Sequence, residues 1–277
     1  SSEALAHFAY ALFLQMGDLQ RNQQAHEHFI EAVEYSPHAK NLVTQAFGQL
    51  LFRNKYGEII DSLLPLFEKY PESVPILSML VESYQKTDRE KMAITLLEEA
   101  FFEKKARKAY IVRQLTALYW QQKQFARIDE LLKIARKSPA LKDNFATYYA
   151  LAVYHAAIAE GNDGSEMSDK KRQKHAEKAG KYGTKALSYL DQVENKSQFL
   201  TLSKVLASTE QLAPALRLID RALKKFSDDN PELILQKADL LRRNDNVHAA
   251  LKALENLELE QQTTRRVLLR AGNLYAR

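Results

Sequence analysis

The sequence predicts an all-α chain built of stacked antiparallel helix pairs. Three observations carry this. Leu, Ala, Glu, Lys, Gln and Arg dominate, while Gly (8) and Pro (7) are scarce over 277 residues. That leaves too few turn residues for a β-rich protein of this size. Small or aliphatic residues stand seven apart, two helical turns, so each pair shares one face of one helix. These pairs then return at a nearly constant step along the whole chain.

The stretch 83–100, SYQKTDREKMAITLLEEA, displays one unit. Ala93 and Ala100 share a helix face, flanked by Ile94, Leu97 and Phe101. Tyr84 belongs to the preceding helix, and Lys86 to Arg89, without an apolar residue, reads as a tight turn between the two. The first small or aliphatic position recurs at Ala25, Ile59, Ala93, Ile128, Ala179, Ala215 and Ala250. The second follows at Ala32, Leu66, Ala100, Ala135, Ala186, Ala222 and Leu257. A bulky residue upstream appears as Leu50, Tyr84, Tyr119, Leu206, Leu241 and Tyr275. A helix pair of this kind cannot bury its apolar stripe alone, and stacking the pairs makes a continuous core.

A period near 34 with these positions resembles the tetratricopeptide repeat family, in degenerate form and over nearly the whole chain. The resemblance implies a right-handed α-solenoid, a single array over 1–277 of about seven repeats and a terminal half repeat. It also implies that the first helices of successive units line a concave groove that takes a protein or peptide. The family's small residue at the eighth place of a unit is present at Ala150, Ser203, Ala238 and Gly272, whereas Phe47, Val81 and Thr116 stand near that place elsewhere.

One step breaks the rhythm. Ile128 to Ala179 is 51 residues, about 17 more than a period. The surplus falls around 161–175, where Gly161 to Gly164 signals a loop and Ser168 an N-cap. Helices over about 143–160 and 169–190 are expected, making the fifth unit longer than its neighbours. The second carries Lys170, Lys171, Arg172 and Lys174, either a solvated extension or a basic surface for an acidic partner. The run 104–108, KKARK, reads as exposed loop. Leu268 to Arg277 reads as the first helix of a further unit, so the sequence is expected to be part of a larger protein.

Composition bounds the chemistry. Apolar content of 45% and charged content of 27% describe a globular chain, and the net charge of +5 permits an acidic partner without requiring one. No apolar run reaches bilayer-spanning length; the longest, Ala4 to Met16, is interrupted by His7. Without cysteine there is no disulfide or thiolate chemistry, which allows a cytoplasmic or a periplasmic setting. No phosphate-binding glycine loop or nucleophile elbow occurs, so neither an enzyme nor a cofactor is expected. His26 and His28 sit two apart and face different sides of a helix, so no metal site is expected there.

The family register places Asn41, Thr44, Ser78, Glu82, Arg113, Trp120, Tyr154, His155, Lys204, Asp239, Arg242, Arg243 and Arg266 on the groove side. Trp120, the single tryptophan, shares a face with Arg113, and both types concentrate binding energy. Trp120 also reads as partial core beside Tyr119, and the arginines as solvated. The leading reading is a non-enzymatic protein-interaction scaffold. A spacer array attached to another domain is the alternative. A nucleic-acid-binding repeat fits less well, because no polar pair recurs at a fixed place in the repeat.

Overall fold

Fifteen α-helices and no strand make up the described residues of the computed structural model, which are 1–16, 22–162, 164, 166–193, 195–226 and 230–255. They form two compact units, Ser1–Gln121 and Gln122–Arg277. The first contains α1 (Ser2–Gln15), α2 (Asn22–Tyr35), α3 (Lys40–Ala46), α4 (Gly48–Phe52), α5 (Tyr56–Lys69), α6 (Val74–Lys86), α7 (Glu90–Glu98) and α8 (Ala109–Gln121). The second contains α9 (Phe125–Lys137), α10 (Phe145–Ala159), α11 (Asp169–Ala186), α12 (Lys196–Ser208), α13 (Leu212–Phe226), α14 (Pro231–Arg243) and α15 (Val247–Glu255). Within each unit neighbouring helices pack as hairpins, with α3 and α4 forming one first helix interrupted at Phe47, and each hairpin contacts the next, as α2 with α3 and α13 with α14.

Two kinds of junction alternate. Several first helices open with a side-chain cap, although α3, which starts after Ala39, does not. Ser73 accepts from the Ile76 amide with Pro75 in the first turn, Asn144 accepts from the Ala146 amide, and Asn230 caps α14 ahead of Pro231. Asn195 and Gln198 complete a reciprocal capping box at α12. The second helix follows a backbone lock instead. Asn54, Asp88, Lys123, Glu210 and Asp245 all have φ between 54° and 61°, at the same place in successive turns.

The next amide donates back to the carbonyl five residues upstream: Lys55 to Leu50, Arg89 to Tyr84, Gln211 to Leu206 and Asn246 to Leu241, at 2.8–2.9 Å. This is a Schellman closure. The bulky residue of the repeat therefore supplies both a packing side chain and the carbonyl that ends its helix. The long pair uses the same device with Gly161 (φ 78°) and an Asn162 amide bonded to the Ala157 carbonyl.

The ladder of small residues lies in the core. Ala25, Ile59, Ala93, Ile128, Ala179 and Ala215 are fully buried, as are Ala32, Ala100, Ala135, Ala186 and Ala222. Tyr119 is also fully buried, and its hydroxyl donates to Glu98 at 2.6 Å, so burial leaves no orphaned phenol. Leu257, Asp228, Asp229 and the segment from Leu268, including Gly272 and Tyr275, lie outside the described residues.

The long pair differs from expectation in detail. The second helix is α-helical only to Ala186 and continues as a 3-10 segment from Leu187 to Gln192. Ser168 occupies the N-cap but makes no side-chain cap bond. Small residues on α11 admit the α12–α13 turn closely: a Cβ on Gly183 would lie 3.0 Å from Leu206 Cδ2, and one on Gly180 3.0 Å from Thr209 Oγ1.

The run at 104–108 is not simply exposed loop. It follows a π-helical segment, Glu99–Glu103. Ala106 is buried, the Arg107 guanidinium sits 4.1 Å from the Phe101 ring centroid, and Lys104 pairs with Glu68 and Glu99. Lys69 to Glu34 is the matching contact one repeat earlier. Burying the π segment's Phe101 pulls the following chain inward, where its long basic side chains lie along apolar rings.

Candidate functional site

In the first unit the expected groove residues lie on α3, α6 and α8. Asn41, Thr44 and Glu82 are exposed, and Ser78, Arg113 and Trp120 are half-buried. Spacings of four on α6 and seven on α8 put Ser78 with Glu82 and Arg113 with Trp120 on common faces. Ser78 donates to its own helix, to the Pro75 carbonyl, at 2.9 Å. Glu82 and Arg113 converge electrostatically on Tyr110 at the start of α8. Desolvation pushes that phenol well above its ordinary range, with Arg113 pulling it down and Glu82 adding to the rise. The phenol is neutral at physiological pH, and both an acid on α6 and a guanidinium on its own helix act on it electrostatically. Tyr110 was not singled out from the sequence. Its place in the first turn of α8, three residues before Arg113, is the signal that could have found it.

The second unit sorts its candidates differently. Lys204 is exposed on α12, one turn after Thr201, whose side chain is hydrogen-bonded to the half-buried Tyr149 of α10. Tyr154 and His155, placed in the groove by the family register, are buried at 8% and 7% exposure. His155 turns toward the other helix of its own pair. Its Nδ1 lies 3.0 Å from Nδ1 of His175, and its ring stacks on Tyr182 at 5.5 Å and 14°. Burial, then His175 and Lys178, push its pKa down to about 4. The cause is α10 itself, which is apolar on every side and is enclosed by its neighbours.

Arg242 pairs with Asp239 at 3.1 Å, and its Nε is buried with no hydrogen-bond partner among the described residues. Arg243 donates to the Ala207 carbonyl at 2.7 Å, sealing the C-terminal end of α12. It therefore acts as a helix cap rather than as an idle cation. Arg266 lies outside the described residues.

On α11, Lys170, Lys171 and Lys174 are exposed, but Arg172 folds back, its Nε donating to the Met167 carbonyl at 3.2 Å and its guanidinium filling the space beside Gly161. Lys185 is drawn over the stacked rings of Tyr148 and Tyr189, at 5.8 and 5.5 Å. The basic helix thus spends part of its charge on its own hairpin. His26 and His28 do face apart: His26 Nε2 meets Ser62 at 2.8 Å, whereas His28 turns to His7 and Glu31.

Stacked helix pairs with a small-residue ladder and a repeating turn define a tetratricopeptide-like helical-repeat protein, and known structures agree. The chain aligns with PilF of Pseudomonas aeruginosa at 17% identity and a TM-score of 0.50, over 78% of this chain and 88% of that one. It aligns with yeast Tom70 at 14% identity and 0.50, and with Cut9 of the APC/C hetero-tetramer Cut9-Hcn1 at 13% identity and 0.52. The alignment spans about half the length of those two chains, 54% and 53%. No family model matches the sequence, and no curated protein matches it. No described helix is long and apolar enough to cross a membrane.

Proposed function

We propose that this protein is a non-enzymatic scaffold that binds an extended peptide or protein segment on the first-helix face of its N-terminal unit. The observation that carries the reading is the row Glu82, Tyr110, Arg113 and Trp120, an acid, a neutral phenol, a guanidinium and an indole on α6 and α8, none of them fully buried. Such a set supplies an aromatic anchor with polar groups that fix orientation. The net charge of +5 favours a partner that carries carboxylates, which Arg113 would take by two parallel hydrogen bonds. Membership of Cut9 in a hetero-tetramer fits an assembly role for this fold.

Selection of a random displayed peptide library on the whole chain tests the proposal. Trp120 is the only tryptophan, so a bound peptide is expected to shift its emission directly. Trp120→Ala and Arg113→Ala are each expected to weaken the selected peptide by more than about 1 kcal/mol, roughly fivefold in Kd. Peptides that bind both variants as well as the parent, with helical content unchanged, would place the contact elsewhere.

A further inference from the structure

The α1–α2 hairpin holds a side-chain cluster that none of the groove argument uses. His7 Nδ1 and His28 Nδ1 are 3.1 Å apart, and each lies 2.8 Å from the same oxygen, Oε2 of Glu31. The two imidazoles come from different helices, 21 residues apart in sequence, and Glu31 stands one turn after His28 on α2. Aromatic rings hold both: Tyr35 stacks on His7 at 5.4 Å and 23°, and Tyr10 meets His28 edge-on at 4.8 Å and 79°. Both histidine side chains are 29% exposed and Glu31 is 47% exposed, so the cluster opens to water on the carboxylate side.

Protons alone serve this triangle poorly. If both Nδ1 atoms carry hydrogen and donate to Glu31, the two N–H groups oppose each other across 3.1 Å. If only one does, the other imidazole lone pair faces the carboxylate across 2.8 Å with nothing between them. A cation in front of the three atoms satisfies all three lone pairs at once. Ligand atoms on a tetrahedral ion with bonds of about 2.0–2.1 Å stand about 3.3 Å apart, close to the observed edges. Two neutral imidazoles and one carboxylate are the donors preferred by zinc and its transition-metal neighbours rather than by magnesium or calcium. The water-facing side leaves room for a fourth, solvent ligand.

We propose that His7, His28 and Glu31 form a binding site for one divalent transition-metal ion of the zinc class, which ties α1 to α2. The ion clips the two helices together and stabilises the hairpin by mass action.

The test uses the whole, tag-free chain after treatment with chelator, titrated with Zn2+ by calorimetry and with Co2+ by visible absorption. One ion per chain is expected, with the intense d–d bands of tetrahedral Co2+ and a higher thermal midpoint with Zn2+ present. Glu31→Gln changes an exposed group and leaves the apolar packing intact. It is expected to weaken Zn2+ binding by about tenfold or more, and His7→Asn with His28→Asn to abolish it. His26→Asn, whose ring is engaged with Ser62, is expected to bind as the parent does. Absence of stoichiometric Zn2+ binding by the parent, or full retention in the double variant, overturns the proposal. Loss in Glu31→Gln with unchanged circular dichroism supports it.

Discussion

His155 sets a sharp pH dependence for the second unit. Its pKa falls from 6.5 to about 4 on folding, chiefly because burial disfavours the imidazolium. His175 and Lys178 on α11 push in the same direction, Asp129 on α9 opposes them, and Arg136 on α9 adds a smaller push. Between those two values the unfolded chain binds the extra proton and the folded chain does not, so stability rises with pH across that window. The contribution is complete above pH 6.5 and is lost as pH falls toward 4. A gap of that size corresponds to about 2 kcal/mol lost at pH 5 and about 3 kcal/mol at pH 4.

The direct assay is proton NMR of the His155 ring in the folded protein, with a midpoint near 4 expected. The second is denaturant unfolding from neutral to acidic pH, comparing the parent with His155→Phe. Phenylalanine keeps the stack on Tyr182 and cannot titrate, so the variant is expected to lose less stability on acidification by those same amounts. A ring that titrates at or above 6.5 would refute the reasoning, because it would mean that the imidazole reaches water.

Other perturbations follow from packing and backbone. Glu210 holds a left-handed conformation (φ 61°) that costs an L-residue about 1–2 kcal/mol, whereas glycine loses about 0.5–1 kcal/mol in chain entropy. Glu210→Gly is therefore expected to stabilise by about 0.5–1 kcal/mol, and Asn54→Gly by close to nothing, since asparagine tolerates that region; equal effects in denaturant titrations would count against this account. Gly183→Val places branched carbon against Leu206 and is expected to cost about 2 kcal/mol, read by thermal unfolding and by loss of amide protection in α12. Thr147 is fully buried with no partner for its hydroxyl among the described residues, so Thr147→Val is expected to stabilise by about 1 kcal/mol; destabilisation would reveal a hydrogen bond at that hydroxyl.

The architecture was legible because it repeats. A buried alanine is uninformative alone, but Ala93 and Ala100 recur in kind one period away in either direction, and steric demand on that face is the same each time. The break between the long helices was legible because Gly161 takes up a positive φ that ends a helix, whereas Ser168 takes the N-cap position without making a cap bond. The candidate face was legible only in part. Lys204 and Glu82 stay exposed where a repeat register puts them, but His155 does not, because α10 lacks a polar face and its surroundings enclose it. Arg243 was misjudged for a different reason: its partner is a backbone carbonyl 36 residues away, and backbone acceptors leave no mark in a sequence. The His7–His28–Glu31 cluster went unread because the informative spacing lies across two helices, whereas the His26–His28 spacing that draws attention is the uninformative one.

Where a pair closes with the Schellman bond, the closure involves only main-chain atoms and the residue just past the helix, so it makes no demand on what comes next. After Asn162 the chain adds a longer connection and α11 gains about two turns ahead of Ala179, and Ala179 and Ala186 still arrive at their buried posts. Length can thus be gained in one place without disturbing the seating of adjoining pairs. The loop downstream of Gly161 is the natural graft point for a reporter peptide or a small domain, and the corresponding loops of the tighter pairs, which reach the next helix within a residue or two, are not.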